Sequence, residues 1–156
     1  MPIRRPLVRA LTVAVLAALP VGCIVLPPPI VTNPFVGTWT TRDNDRITFR
    51  DDTIVVAPAR GSATVMANES CNGAFGFGYE TKGRDALTAL VPRQSDLRGK
   101  LAALLVQPDY PVAEMRCDQG YNTYVLLGGD QMVAVYRDGA VAGIDRLTRV
   151  VAAPGV

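Results

Sequence analysis

Beyond residue 35 the hydrophobic positions come in short runs broken by turns, and their spacing is that of strands. Arg46-Ile47-Thr48-Phe49-Arg50 alternates polar and apolar with period two, which puts Ile47 and Phe49 on one face. Residues 38–41 suit a pleated surface, Asp51-Asp52 reads as a turn into a strand over 53–57, and another strand is expected over 63–67. Phe75, Phe77 and Tyr79 alternate with Ala74, Gly76 and Gly78. Rings on one face and almost nothing on the other predict a strand whose bare side meets close backbone or a bend. Four further runs cover 112–117, 123–127, 131–137 and 140–150, with hairpin turns at Gly128-Gly129-Asp130 and Asp138-Gly139. Only 96–106 has helical spacing, with Leu97, Leu101, Leu104 and Leu105 on one face, Ser95 as cap and Pro108 as stop. About eight short strands and one short helix predict an all-β domain, a small antiparallel β-barrel or a curled sheet. A closed barrel leaves no sheet edge exposed to a neighbour.

The first 34 residues follow another pattern. Arg4, Arg5 and Arg9 precede an uncharged stretch over 10–21. That stretch is too short for a bilayer, which needs about 20 apolar residues, and has the length of a signal-peptide core. It ends in Leu19-Pro20-Val21-Gly22-Cys23, which resembles the bacterial lipobox, with Pro20 standing where that motif usually has Leu. The resemblance implies cleavage before Cys23, acylation of its thiol and amino group, and anchoring to a membrane. In lipoproteins of the enterobacterial type an Asp after the cysteine retains the protein at the inner membrane. Ile24 stands here instead, which implies outer-membrane delivery on the periplasmic side. Pro27-Pro28-Pro29 and Pro34 make the following stretch a semi-stiff spacer. The expected organisation is a signal peptide over 1–22, a lipidated cysteine and linker over 23–34, a β-barrel domain over 35–150 and a tail over 151–156.

Removing the signal changes the charge. Lys plus Arg falls from 16 to 13 while Asp plus Glu stays at 14, so the body carries about −1 and lacks the basic balance of a nucleic-acid binder. With Cys23 acylated, Cys71 and Cys117 remain as an even pair in an oxidising compartment, which predicts a disulfide. Two cysteines without any histidine do not make a usual zinc set, and no cofactor is expected.

Gly37-Thr38-Trp39 opens the first strand and resembles the Gly-x-Trp signature of the lipocalin and wider calycin group. The resemblance implies a barrel whose floor is closed by Trp39, with an arginine of the last strand, Arg146 or Arg149, across its ring. Cys71-Asn72-Gly73-Ala74-Phe75-Gly76, followed by Tyr79, is similar to the Cys-Asn motif of META domains of bacterial envelope proteins. Here the tyrosine is displaced by one residue, and the helix comes before Met115-Arg116-Cys117 rather than after it.

Catalytic constellations are scarce. Without histidine there is no Ser-His-Asp triad or Cys-His pair, and Ser62, Ser70 and Ser95 have no lysine in an activating pattern. Asp43, Asp45, Asp51 and Asp52 fall in predicted turns, where Asp is favoured for its backbone hydrogen bonds. Gly73 to Gly78 lacks the lysine of a phosphate loop. The reading is therefore a non-enzymatic envelope lipoprotein with a binding or structural domain and an envelope protein as partner. Two alternatives stand beside it, a periplasmic inhibitor of a protease or lysozyme and a carrier of a small apolar ligand.

Overall fold

A computed structural model describes residues 33–151 apart from 74, 119, 139 and 140. The expected signal peptide, Cys23 and nearly all of the linker therefore lie outside the described residues, as do the center of the Asp138-Gly139 turn and the tail beyond 151.

The domain is all-β with added helices. Its strands are β1 (Gly37–Thr41), β2 (Arg46–Phe49), β3 (Ile54–Ala57), β4 (Thr64–Met66), β5 (Gly76–Gly83), β6 (Asp109–Cys117), β7 (Gly120–Gly128), β8 (Gln131–Asp138) and β9 (Val141–Arg149). They form one sheet of nine antiparallel strands, in the order β4-β3-β2-β1-β9-β8-β7-β6-β5. The first and last strands in sequence are thus neighbours at its middle, with Trp39 opposite Arg149.

The sheet curls on itself. Phe49 of β2 meets Tyr124 of β7 edge-on, with ring centroids 5.0 Å apart, and lies 6.3 Å from Phe77 of β5. The result is the expected barrel-like all-β fold in its curled-sheet form, a half-barrel in which, among the described residues, β4 and β5 remain the two end strands. The reason is local. β4 has three residues, and the chain after it winds into a 3₁₀ turn, Glu69–Cys71, instead of continuing as a ladder partner for the eight-residue β5.

Two apolar layers hold the domain. The concave face buries Phe35, Trp39, Ile47, Phe49, Ile54, Met115, Tyr124, Met132 and Leu147, with Phe75, Phe77 and Tyr79 packed against them. On the convex face Val112, Val125, Val133 and Val135 meet Leu87, Val91, Leu101 and Leu105 from the helical segment. That segment holds α1 (Arg84–Ala89) and α2 (Asp96–Leu104). In α2 the Ser95 hydroxyl accepts from the Leu97 N–H at 3.2 Å, satisfying a donor at the helix start. The hydrophobic period does not announce α1, since in six residues only Leu87 and Thr88 are buried.

Candidate functional site

Trp39 is fully buried, and its indole N–H donates to the Phe35 carbonyl at 2.9 Å. The Arg149 guanidinium lies 4.2 Å from the center of the Trp39 ring. From there it donates to the Val36 carbonyl at 2.7 Å and the Pro34 carbonyl at 2.6 Å, and pairs with Asp130 at 3.2 Å. A charged planar fork satisfied on three sides while stacked on an indole is a rigid closure. Gly37 is required beside it. Its φ is +130°, and an added Cβ would stand 2.9 Å from Arg149 Nη1. Arg146, the other candidate from the sequence, pairs with Val133 on the convex face and is exposed. It lies three positions before Arg149, an odd step that turns a strand residue to the opposite face.

Cys71, at the end of the 3₁₀ turn, is joined by a disulfide to Cys117, at the end of β6. Beyond Cys71, Asn72 and Gly73 both adopt positive φ, 50° and 81°. The Asn72 amide donates to Asp118 at 2.8 Å, a second tie between the same two segments. The conformation accounts for the Asn-Gly pair in this motif, because these residues tolerate left-handed backbone best.

The bare side of β5 does not meet close backbone as its glycines suggested. A Cβ added at Gly78 would have nothing within 4 Å, and one at Gly76 only the Arg116 Cβ at 3.9 Å. An open cleft of about 380 Å³ lies here, bounded by Gly76, Phe77, Gly78, Glu80, Glu114 and Arg116. Sharing Glu114 and Arg116 with it is a larger open groove of about 680 Å³, lined among others by Lys82, Leu90, Tyr121 and Arg137. The sheet register explains this surface. Arg116 of β6 lies opposite Tyr121 of β7, and Tyr121 opposite Arg137 of β8, so an aromatic ring stands between two arginines in one cross-strand row. The Tyr121 hydroxyl donates to the Leu90 carbonyl at 3.4 Å, joining the row to the helical segment.

Glu114 organises the groove floor. Its carboxylate accepts from Lys82, from Arg116 at 3.0 Å and from the Thr123 hydroxyl at 3.4 Å. Burial favours its neutral acid, but hydrogen bonds from Lys82 and Arg116 and the Lys82 charge prevail, holding the carboxyl below its usual range. Burial works against the Lys82 ammonium as well, and its bonds to Glu114 and Glu80 outweigh that, raising its pKa.

The remaining candidates are dispersed. Asp51 and Asp52 are exposed in the β2–β3 turn, as turn residues should be. The Asp145 carboxyl is raised by burial and by the charges of Asp43 and Asp45. Among the described residues no group of three or more Cys, Asp or Glu is arranged to hold a metal ion. No family model, curated protein or solved structure matches the chain.

Proposed function

We propose that this chain is a lipid-anchored protein of the bacterial envelope, held through Cys23 on the periplasmic side of the outer membrane. Its calycin-like β domain acts as a non-catalytic binding module that works from its outer surface. The observation that carries this reading is the filled concave face. Phe35, Trp39, Phe49 and Tyr124 are each at most 2% exposed, and Phe77 and Tyr79 pack against them. A carrier needs a cavity, commonly a few hundred Å³ lined by apolar groups, and here aromatic rings occupy that place. The stacking of Arg149 on Trp39 supports the calycin-like part of the reading.

Two measurements test it. Metabolic labelling with a fatty-acid analogue should mark the wild type and not Cys23→Ser, and the variant should leave the membrane fraction. Equal labelling of both would remove the anchor. A fluorescent fatty acid titrated into the purified protein should show no saturable binding, and saturable binding would restore the carrier.

The inhibitor reading has one observation of its own. Residues 58–63, between β3 and β4, are all exposed, and the loop is pinned at one end where the Ala59 N–H donates to Asp45 at 2.8 Å. A pinned, projecting loop is what a cleft-binding inhibitor presents. Loss of inhibition of a target protease or lysozyme on replacing this loop with a short turn is its test.

A further inference from the structure

We infer that the free edge of β5 is a self-docking surface, on which a second copy of this chain adds its own β5, antiparallel, about a two-fold axis at Thr81.

The hydrogen-bond parity of the sheet tells which main-chain groups are free. The Arg84 N–H donates to the Pro108 carbonyl at 2.7 Å, and this pair continues the β5–β6 register beyond Gly83 opposite Asp109. Bonded and unbonded pairs alternate along an antiparallel ladder. Gly76, Gly78, Glu80 and Lys82 therefore bond β6, while Phe77, Tyr79, Thr81 and Gly83 turn their N–H and carbonyl groups away from it. Pro111, which has no N–H to give, stands opposite Thr81, in agreement with that parity. The groups turned outward at Phe77, Tyr79 and Thr81 have no partner among the described residues.

The opposite end of the sheet is protected where this one is not. Beside β4 the Ser70 hydroxyl accepts from the Ala67 N–H at 2.7 Å and lies 3.4 Å from the Val65 carbonyl, so a side chain of the same molecule occupies that edge. An edge lysine commonly keeps other strands away. In β5, however, the Lys82 ammonium is held by Glu114 of β6, on the side away from the edge.

Charge then chooses the occupant and its register. Glu80 and Lys82 share one face of the edge strand, with charged ends 3.1 Å apart and side chains 48% and 21% exposed. A two-fold axis at Thr81 sets Glu80 directly opposite Lys82 of the second copy, and Lys82 opposite its Glu80. The four charges alternate in sign around a square, while Glu114 stays on each Lys82. Such a balanced surface fits its own copy rather than an acidic or a basic ligand. Moving the axis to Glu80 would bring two glutamates face to face, which destabilises a strand pair. With the axis at Thr81, threonine meets threonine, a favourable cross-strand pair, and Tyr79 comes opposite a Gly83 that has no side chain to obstruct it. Where the chain turns into α1, Arg84 comes opposite the second copy's Gly78, and the space above that glycine is open.

Sedimentation equilibrium of the full chain in density-matched detergent tests this, with a reversible dimer expected. Thr81→Pro should weaken it at least about tenfold, because proline removes an edge donor and blocks a ladder. That donor bonds nothing among the described residues, so the variant keeps its fold, and unchanged Trp39 emission checks this. Glu80→Lys and Lys82→Glu should each weaken the dimer by setting like charges opposite each other. An equimolar mixture of the two should recover it, since every such cross-strand pair is then lysine against glutamate. A monomer at every concentration up to about 0.1 mM would overturn the second copy as occupant and leave the edge to a strand of another protein. Equal dimerisation of Thr81→Pro would overturn the edge as the site, and a mixture no better than its components would overturn the register at Thr81.

Discussion

Two regions of the domain bring together the same three residue types, arginine, an aromatic ring and glycine, and use them in opposite ways. At the concave face Arg149 lies on Trp39 next to Gly37, with the guanidinium bound to two carbonyls and a carboxylate. Across the convex face Arg116 stands beside Tyr121, and the glycines of β5 lie next to it. The glycines measure the difference. A Cβ at Gly37 would collide with Arg149, while a Cβ at Gly78 would meet nothing within 4 Å. The first region is full and serves closure. The second is open above Gly78, although Arg116 pairs with Glu114 and the Tyr121 hydroxyl bonds the Leu90 carbonyl. An arginine beside an aromatic ring says little by itself; the neighbouring glycine tells whether the pair is structural or accessible.

The closed region should break most severely. Trp39→Ala removes the largest fully buried side chain and the floor on which Arg149 rests. It should cost about 3 to 5 kcal/mol in urea unfolding, the usual range for a large buried aromatic. A loss well under 1 kcal/mol would mean that the concave face repacks without its centre.

The disulfide fastens the segment after β4 to the end of β6, beside the groove. Its Cys71 and Cys117 are 46 residues apart in sequence. Cys71→Ser with Cys117→Ser should lower stability by about 2 to 5 kcal/mol. Mass spectrometry of the non-reduced protein should find the two peptides linked, and free thiols at both positions would contradict the bridge.

Arg149→Lys asks whether the closure needs the fork or only its charge. An ammonium cannot reach two carbonyls and one carboxylate in a plane while stacking on an indole. A loss of about 1 to 3 kcal/mol is expected, the scale of charged hydrogen bonds left unmade. The same change at Arg146, exposed on the convex face, should be nearly silent.

Much of this contrast was legible in the sequence, but not evenly. The all-β class, the capped helix over α2 and the Gly128-Gly129 turn follow from period and turn chemistry. The choice between Arg146 and Arg149 does not, because β9 is covered on both faces. Ile144 packs toward the helices and Leu147 toward the concave core, which erases the alternation that would have shown parity. The convex groove was hidden for a different reason. Reading β7 from Thr123 instead of Gly120 leaves Tyr121 in a loop. Only the register Cys117 opposite Gly120, a two-residue connection, sets Tyr121 between Arg116 and Arg137. The open end strands reflect the shortness of β4, a length that side-chain pattern does not specify.

The open region should respond to pH rather than to truncation. The folded-state pKa of Glu114 is lowered, burial being outweighed by hydrogen bonds from Lys82 and Arg116. A depressed carboxyl contributes stability that is fully present above its unfolded pKa, ordinarily about 4.3, and is lost as pH falls through the folded value. Urea midpoints should therefore drop below about pH 4 in the wild type, and Glu114→Gln should flatten that drop. An identical acid profile in the variant would show that the Glu114 cluster adds nothing to the fold.

The smallest effect expected is the most telling for the open region. Gly78→Ala places a methyl group where no heavy atom lies within 4 Å, on a strand residue that needs no positive φ. Glycine in a strand interior loses more backbone entropy on folding than alanine, so the change should be neutral or slightly stabilising, within about 0.5 kcal/mol. Gly37→Ala has the same chemistry with opposite surroundings. It forces a side chain onto φ +130° and against Arg149, and should be clearly destabilising. Thermal unfolding of the two single variants side by side reads the comparison directly. Equal losses at both positions would mean that the convex glycines are structural too, held by a packing partner rather than left open for one. A loss at Gly37 alone leaves the bare face of β5 without a role in stability, which is the condition for a surface kept clear for binding.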